Sequence, residues 1–128
     1  MKTPDDLKYT ENDEWIRVQG QGSTVGITDY AQDQLSDIVF VEFLVDQGES
    51  VDQGDTIATV ESVKAAADIY APVSGTITAL NEDLADSPEL INADPYGEAW
   101  LIQLSLSDPD ELEDLMDADT YANLERDH

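Results

Sequence analysis

Lys64 is the side chain whose chemistry most needs explaining. The chain holds five Lys or Arg against thirty Asp or Glu. Lys64 stands alone between long acidic stretches. Its surroundings, Glu61-Ser62-Val63-Lys64-Ala65-Ala66-Ala67-Asp68, join two strand-like runs and place only small residues after the lysine. That pattern predicts an amine at the tip of a tight, protruding hairpin, open to a modifying enzyme. Acylating such an amine removes its charge and adds a reactive group that the polypeptide lacks. The plain alternative is a surface lysine in an ion pair worth about 0–1 kcal/mol.

The rest of the inventory offers little catalysis. The one histidine, His128, is the last residue of the chain, where fraying is expected. This disfavours a Ser–His pair or a His-ligated metal. The absence of cysteine rules out disulfides and thiol chemistry. No phosphate-binding Gly-rich loop precedes Lys64. The acids from Asp108 to Asp119 lack the central glycine of a calcium loop. Among thirty carboxylates, any pair suited to glycoside hydrolysis is expected by chance. These observations point to a non-catalytic protein that works by what is attached to it.

A formal net charge of −25 over 128 residues excludes nucleic acid as a partner. Such a surface repels itself in dilute buffer, but at molar salt the Debye length falls to about 3 Å and screens the repulsion. A salt-rich cytoplasm accounts for the bias. The N-terminus, Met1 to Asp6, lacks an apolar signal-peptide core, and no long apolar run suggests a membrane span. The expectation is a soluble, cytoplasmic, halophilic protein. The length predicts a single domain over 1–128, with a core at about 15–106 and a C-terminal helical segment at about 108–126.

The elements that must position Lys64 are mainly β. Ile16 and Val18, a Gly20-Gln21-Gly22-Ser23 turn, and Val25 to Ile27 form a hairpin pattern. Thr28 is a predicted N-cap for a short helix to about Ser36, with Tyr30, Ala31, Gln34 and Leu35 at helical spacing. Ile38 to Val45 is apolar on both faces except at Glu42, as in a strand covered on both sides. Val-Asp-Gln-Gly then occurs twice, at 45–48 and 51–54, marking two turns. Strands follow at Thr56 to Val63, Ala67 to Tyr70, Val73 to Leu80 and Leu101 to Leu106. Ser87-Pro88-Glu89-Leu90 and Asp94-Pro95-Tyr96-Gly97 are loop signals. Asp108-Pro109-Asp110-Glu111 reads as a capping-box helix start, with Leu112, Leu115 and Met116 on one face.

Read in order, these pieces resemble the glycine cleavage system H protein family over nearly the whole chain. The resemblance is carried by Leu7-Lys8-Tyr9, Glu14-Trp15, Val25-Gly26-Ile27-Thr28-Asp29-Tyr30-Ala31-Gln32 and Asp37-Ile38-Val39-Phe40-Val41-Glu42. It continues through Glu61-Ser62-Val63-Lys64-Ala65, Asp68 to Gly75, Pro88 to Asn92 and Asp94 to Ile102. The resemblance implies a barrel-sandwich hybrid: two small sheets related by a pseudo-twofold, short peripheral helices and a C-terminal helix. It also implies lipoate in amide linkage to Lys64, on a recognition hairpin of Glu61, Ser62, Val63 and Ala65.

The implied role is a shuttle. The arm takes the aminomethyl group from the pyridoxal-phosphate glycine decarboxylase to the tetrahydrofolate-dependent aminomethyltransferase, and dihydrolipoamide dehydrogenase reoxidises it. A lipoate-attaching enzyme is the fourth implied partner, and a monomer that docks transiently is expected. Glu14 and Asp68 match family positions that line a cleft where the loaded arm rests. Three positions depart from the family pattern: Asp13 where His is common, Ser36 where Gly is common, and Gln34 where His is frequent. A biotinyl domain shares the lysine hairpin but usually flanks it with Met, whereas here the neighbours are Val63 and Ala65. A lipoyl-relay protein and an unmodified acidic interaction module are the remaining alternatives.

Overall fold

A computed structural model describes residues 3–124. Lys2 and His128 lie outside the described residues. The strands are β1 (Lys8–Tyr9), β2 (Glu14–Gln19), β3 (Gly22–Ile27), β4 (Ile38–Phe43), β5 (Ser50–Val51), β6 (Thr56–Ser62), β7 (Ala66–Tyr70), β8 (Gly75–Leu80) and β9 (Ile102–Leu106). Helices α1 (Asp29–Leu35), α2 (Asp83–Asp86), α3 (Leu90–Ala93) and α4 (Ala118–Ala122), with a 3₁₀ helix at Pro109–Asp114, lie between or after them. One sheet has six strands in the order β1-β2-β3-β9-β8-β5, and the other has three, β4-β6-β7. Every pairing is antiparallel. The mainly β, two-sheet architecture with short helices is borne out, although the sheets are unequal.

The sheets bury one shared apolar cluster. Val25, Ile27, Ile77, Ile102 and Leu104 of the larger sheet pack with Ile38, Val41, Ile57, Val60 and Ile69 of the smaller. A second cluster of Leu7, Tyr9, Trp15, Ala118 and Tyr121 fixes α4 over β1 and β2. There Tyr9 and Tyr121 stack with centroids 4.6 Å apart. The Tyr121 hydroxyl donates to Asp13 at 2.8 Å and lies 2.7 Å from the Thr28 hydroxyl. Thr28 in turn accepts the Ala31 N–H as the N-cap of α1.

The repeated Val-Asp-Gln-Gly segments fold alike, because each needs a left-handed glycine: Gly48 has φ 92° and Gly54 φ 93°. In each turn the acid after the glycine accepts an N–H three residues back, Glu49 from Asp46 and Asp55 from Asp52. These matched turns start β5 and β6.

Three local expectations are corrected. The segment from Ile38 is not covered on both sides: Val39, Phe40 and Leu44 are 53%, 48% and 48% exposed, and a bulge that leaves Val39 unpaired against β6 turns both Val39 and Phe40 outward. Glu111 does not return to its helix cap. It reaches the N–H and hydroxyl of Ser74, at 2.7 and 2.9 Å, so Asp108 caps only a 3₁₀ turn. Met116 shares no helical face with Leu112; it forms an isolated bridge with Tyr9, which divides the C-terminal segment in two.

Candidate functional site

Lys64 sits in the loop between β6 and β7, where Glu61 pairs with Ala66. Ser62 organises this turn. Its N–H donates to the Ala65 carbonyl at 2.7 Å, and its hydroxyl accepts the N–H groups of Lys64 and Ala65 at 3.3 and 3.1 Å. A further bond runs from the Val63 N–H to the Asp37 carbonyl at 3.0 Å, anchoring the turn to the residue before β4. Thus the backbone is held while Val63, Lys64, Ala65 and Ala66 are all exposed. The short alanine side chains leave the amine sterically clear, which fits a bulky acyl group on the lysine.

Glu14 begins β2 and is 1% exposed. Its Oε1 accepts the Thr10 hydroxyl at 2.7 Å, and its Oε2 accepts the Tyr70 N–H at 2.9 Å. Burial disfavours the charged form and pushes the carboxyl up to about 7, while the Tyr70 and Thr10 hydrogen bonds oppose that shift. A cavity of about 590 Å³ opens beside it, with Tyr9, Thr10, Glu14, Gln53, Tyr70 and Met116 among its lining residues. Glu14 therefore links the cavity to the end of β7, the strand that descends from the Lys64 turn.

Asp68 is exposed on β7, and its carboxylate accepts the Thr59 hydroxyl at 3.4 Å. It is absent from the cavity lining. Strand alternation puts Asp68 and Tyr70 on the same outward side, about 7 Å apart along β7, with Ile69 buried between them. The structure thus joins Glu14 to β7 without bringing Asp68 and Glu14 into contact.

Of the departures, Asp13 takes a left-handed φ of 69°, which Asp tolerates better than most residues, and it receives the Tyr121 hydroxyl. Ser36 ends α1 at φ 67°, ψ −147°, a region that favours glycine. Gln34 is an exposed residue of α1. The sequence assigned no role to Thr10, and it offered Asn92 only as part of a family motif, without its contacts. The hydroxyl of Thr10 also accepts the Asn12 N–H, a Thr-turn that its Thr-Glu-Asn sequence hints at. Asn92 accepts the Ile38 N–H and donates to the Ser36 carbonyl. It thereby clamps the α1–β4 connection from 54 residues away, a partnership no local pattern reveals.

Comparison with known proteins identifies the family. Residues 7–128 match the family model described as Glycine cleavage H-protein. A glycine cleavage system H protein from Salinibacter ruber is 54% identical over 97% of this chain and 99% of its own length. A probable glycine cleavage system H protein from Haloarcula marismortui is 51% identical over 92% of each chain. A crystal structure of a glycine cleavage system H protein from Mycobacterium marinum superposes with a TM-score of 0.81 at 36% identity, covering 93% of this chain and 95% of that one. With matches this extensive across sequence and fold, the chain belongs to the glycine cleavage H-protein family.

Proposed function

We propose that this protein is the lipoyl-bearing shuttle of the glycine cleavage system, with its lipoyl group in amide linkage to Lys64. The supporting observation is the Ser62-organised turn, which fixes the backbone and leaves the Lys64 side chain in solvent. When bound, the lipoyl group supplies the disulfide and dithiol chemistry that takes up the aminomethyl group and the reducing equivalents. The protein's own residues hold and shelter this arm and perform no chemistry themselves. Glu61, Ser62, Val63 and Ala65 present Lys64 to the lipoate-attaching enzyme. The outward face of β7, with Asp68 on the way, leads toward the cavity beside Glu14. A cationic aminomethyl group sheltered there requires buried acceptors, and the free lone pairs of the Glu14 carboxylate supply one.

The partners under this reading are glycine decarboxylase, aminomethyltransferase, dihydrolipoamide dehydrogenase and the attaching enzyme. A monomer suits a shuttle that must leave each partner. Among the described residues no helix is long and apolar enough to cross a membrane. A cytoplasm rich in salt is the setting that best accommodates a net charge of −25.

Reconstitution with the three purified enzymes tests the assignment. Lipoylated wild type should support glycine decarboxylation, and Lys64→Arg should abolish it while leaving the thermal melt unchanged. Full activity from Lys64→Arg would overturn the proposal.

A further inference from the structure

Two neighbouring residues of β4 are exposed together, which a regular strand does not allow. Alternation sends one of any adjacent pair inward, yet Val39 and Phe40 are 53% and 48% exposed. The cause is a bulge. Ile38 pairs with Ser62 and Phe40 with Glu61, leaving Val39 as the extra residue. A bulge bends its strand and re-aims side chains. Here it turns two apolar groups outward on the strand that anchors the Lys64 turn. Val63, 66% exposed, adds a third apolar side chain from the turn itself, and its N–H is tied to the Asp37 carbonyl. Exposed acids neighbour these residues: Glu61 is the cross-strand partner of Phe40, and Asp37 and Glu42 lie within two positions of Val39 and Phe40 along the chain.

We propose that Val39, Phe40 and Val63 form the docking surface for the enzyme that attaches the lipoyl group, which grips them in an apolar recess rimmed by Lys or Arg. The proposal rests on Lys64 being the attachment site. The patch is continuous with the turn that this enzyme must enter, and its acidic rim calls for a basic counterpart. On so negative a protein, charge alone distinguishes one face poorly from another, and salt screens it further. Apolar burial at the bulge supplies discrimination that survives salt.

Lipoylation kinetics test this, using the unlipoylated full-length protein with a lipoate–protein ligase, lipoate and ATP, read by intact mass. The Val39→Thr/Phe40→Thr double variant should raise KM for the carrier about tenfold or more, the equivalent of losing roughly 1.4 kcal/mol of docking energy. Its kcat should be nearly unchanged, and Val18→Thr, on the other sheet, should behave as wild type. Should the double variant melt early, Val39→Thr alone carries the test, with a smaller rise in KM expected. A wild-type KM in a folded variant would overturn the docking surface and leave the Lys64 assignment standing. Wild type that accepts no lipoyl group would overturn the assignment and the surface with it. A wild-type dimer that the substitutions dissociate would assign the patch to a second copy of the chain and overturn the proposal.

Discussion

Glu14 is a buried acid that already holds two donors, so its ionisation is tied to folding. Its carboxyl is pushed from 4.5 up to about 7, chiefly by burial. The folded protein therefore binds this proton more tightly than the unfolded chain does. The resulting stabilisation is complete below about pH 4.5 and is lost as the pH rises through about 7. Glutamine keeps the shape, and its carbonyl can still accept the Tyr70 N–H, but it does not titrate. We expect the stability difference between wild type and Glu14→Gln to shift in favour of the variant by about 3 kcal/mol between pH 4.5 and pH 8. Urea melts at a series of pH values measure this, and parallel curves for the two proteins would contradict it. Lys64 was singled out by the strand-like runs and small residues that flank it, and Glu14 only through the family resemblance at its Glu-Trp motif. The donors on Glu14 were not legible: a backbone N–H such as that of Tyr70 carries no sequence signal.

The end of α1 carries a cost at the level of the element. Ser36 adopts a glycine-like conformation, held by its carbonyl's bond from Asn92 at 2.8 Å. Such backbone strain costs roughly 1–3 kcal/mol, and glycine gives back about 0.4–1 kcal/mol through its freer unfolded chain. Ser36→Gly should therefore stabilise the protein by about 1 kcal/mol, raising the urea midpoint; a lower midpoint would contradict this account. The start of α1 was readable because Thr28 is a local cap. Its clamp was not, since Asn92 arrives from α3, far away in sequence. The same limit explains β4. Composition showed an apolar strand, but a bulge and the outward exposure of Val39 and Phe40 are tertiary facts. Glu111 likewise has the right spacing for a capping box and finds a better partner in Ser74.

At the scale of the whole molecule, charge is the dominant condition. From molar salt to roughly 0.01 M the Debye length grows from about 3 to 30 Å, exposing the −25 charge to its own repulsion. Circular dichroism should show the protein unfolding as salt is withdrawn; an unchanged spectrum would remove the argument for a salt-rich setting. A β-rich sandwich or barrel was legible through short strands and glycine turns and the two sheets through the family resemblance, whereas the six-to-three division of the strands depends on long-range pairings such as β3 with β9. Under the proposed function, the two sheets, the braced turn and the cavity at the end of β7 serve Lys64. The most direct test is the mass of the Lys64-containing peptide in protein purified from its native host. That peptide should show an increase matching one lipoyl group in amide linkage on Lys64. An unmodified Lys64, in cells that lipoylate other proteins, would contradict the assignment.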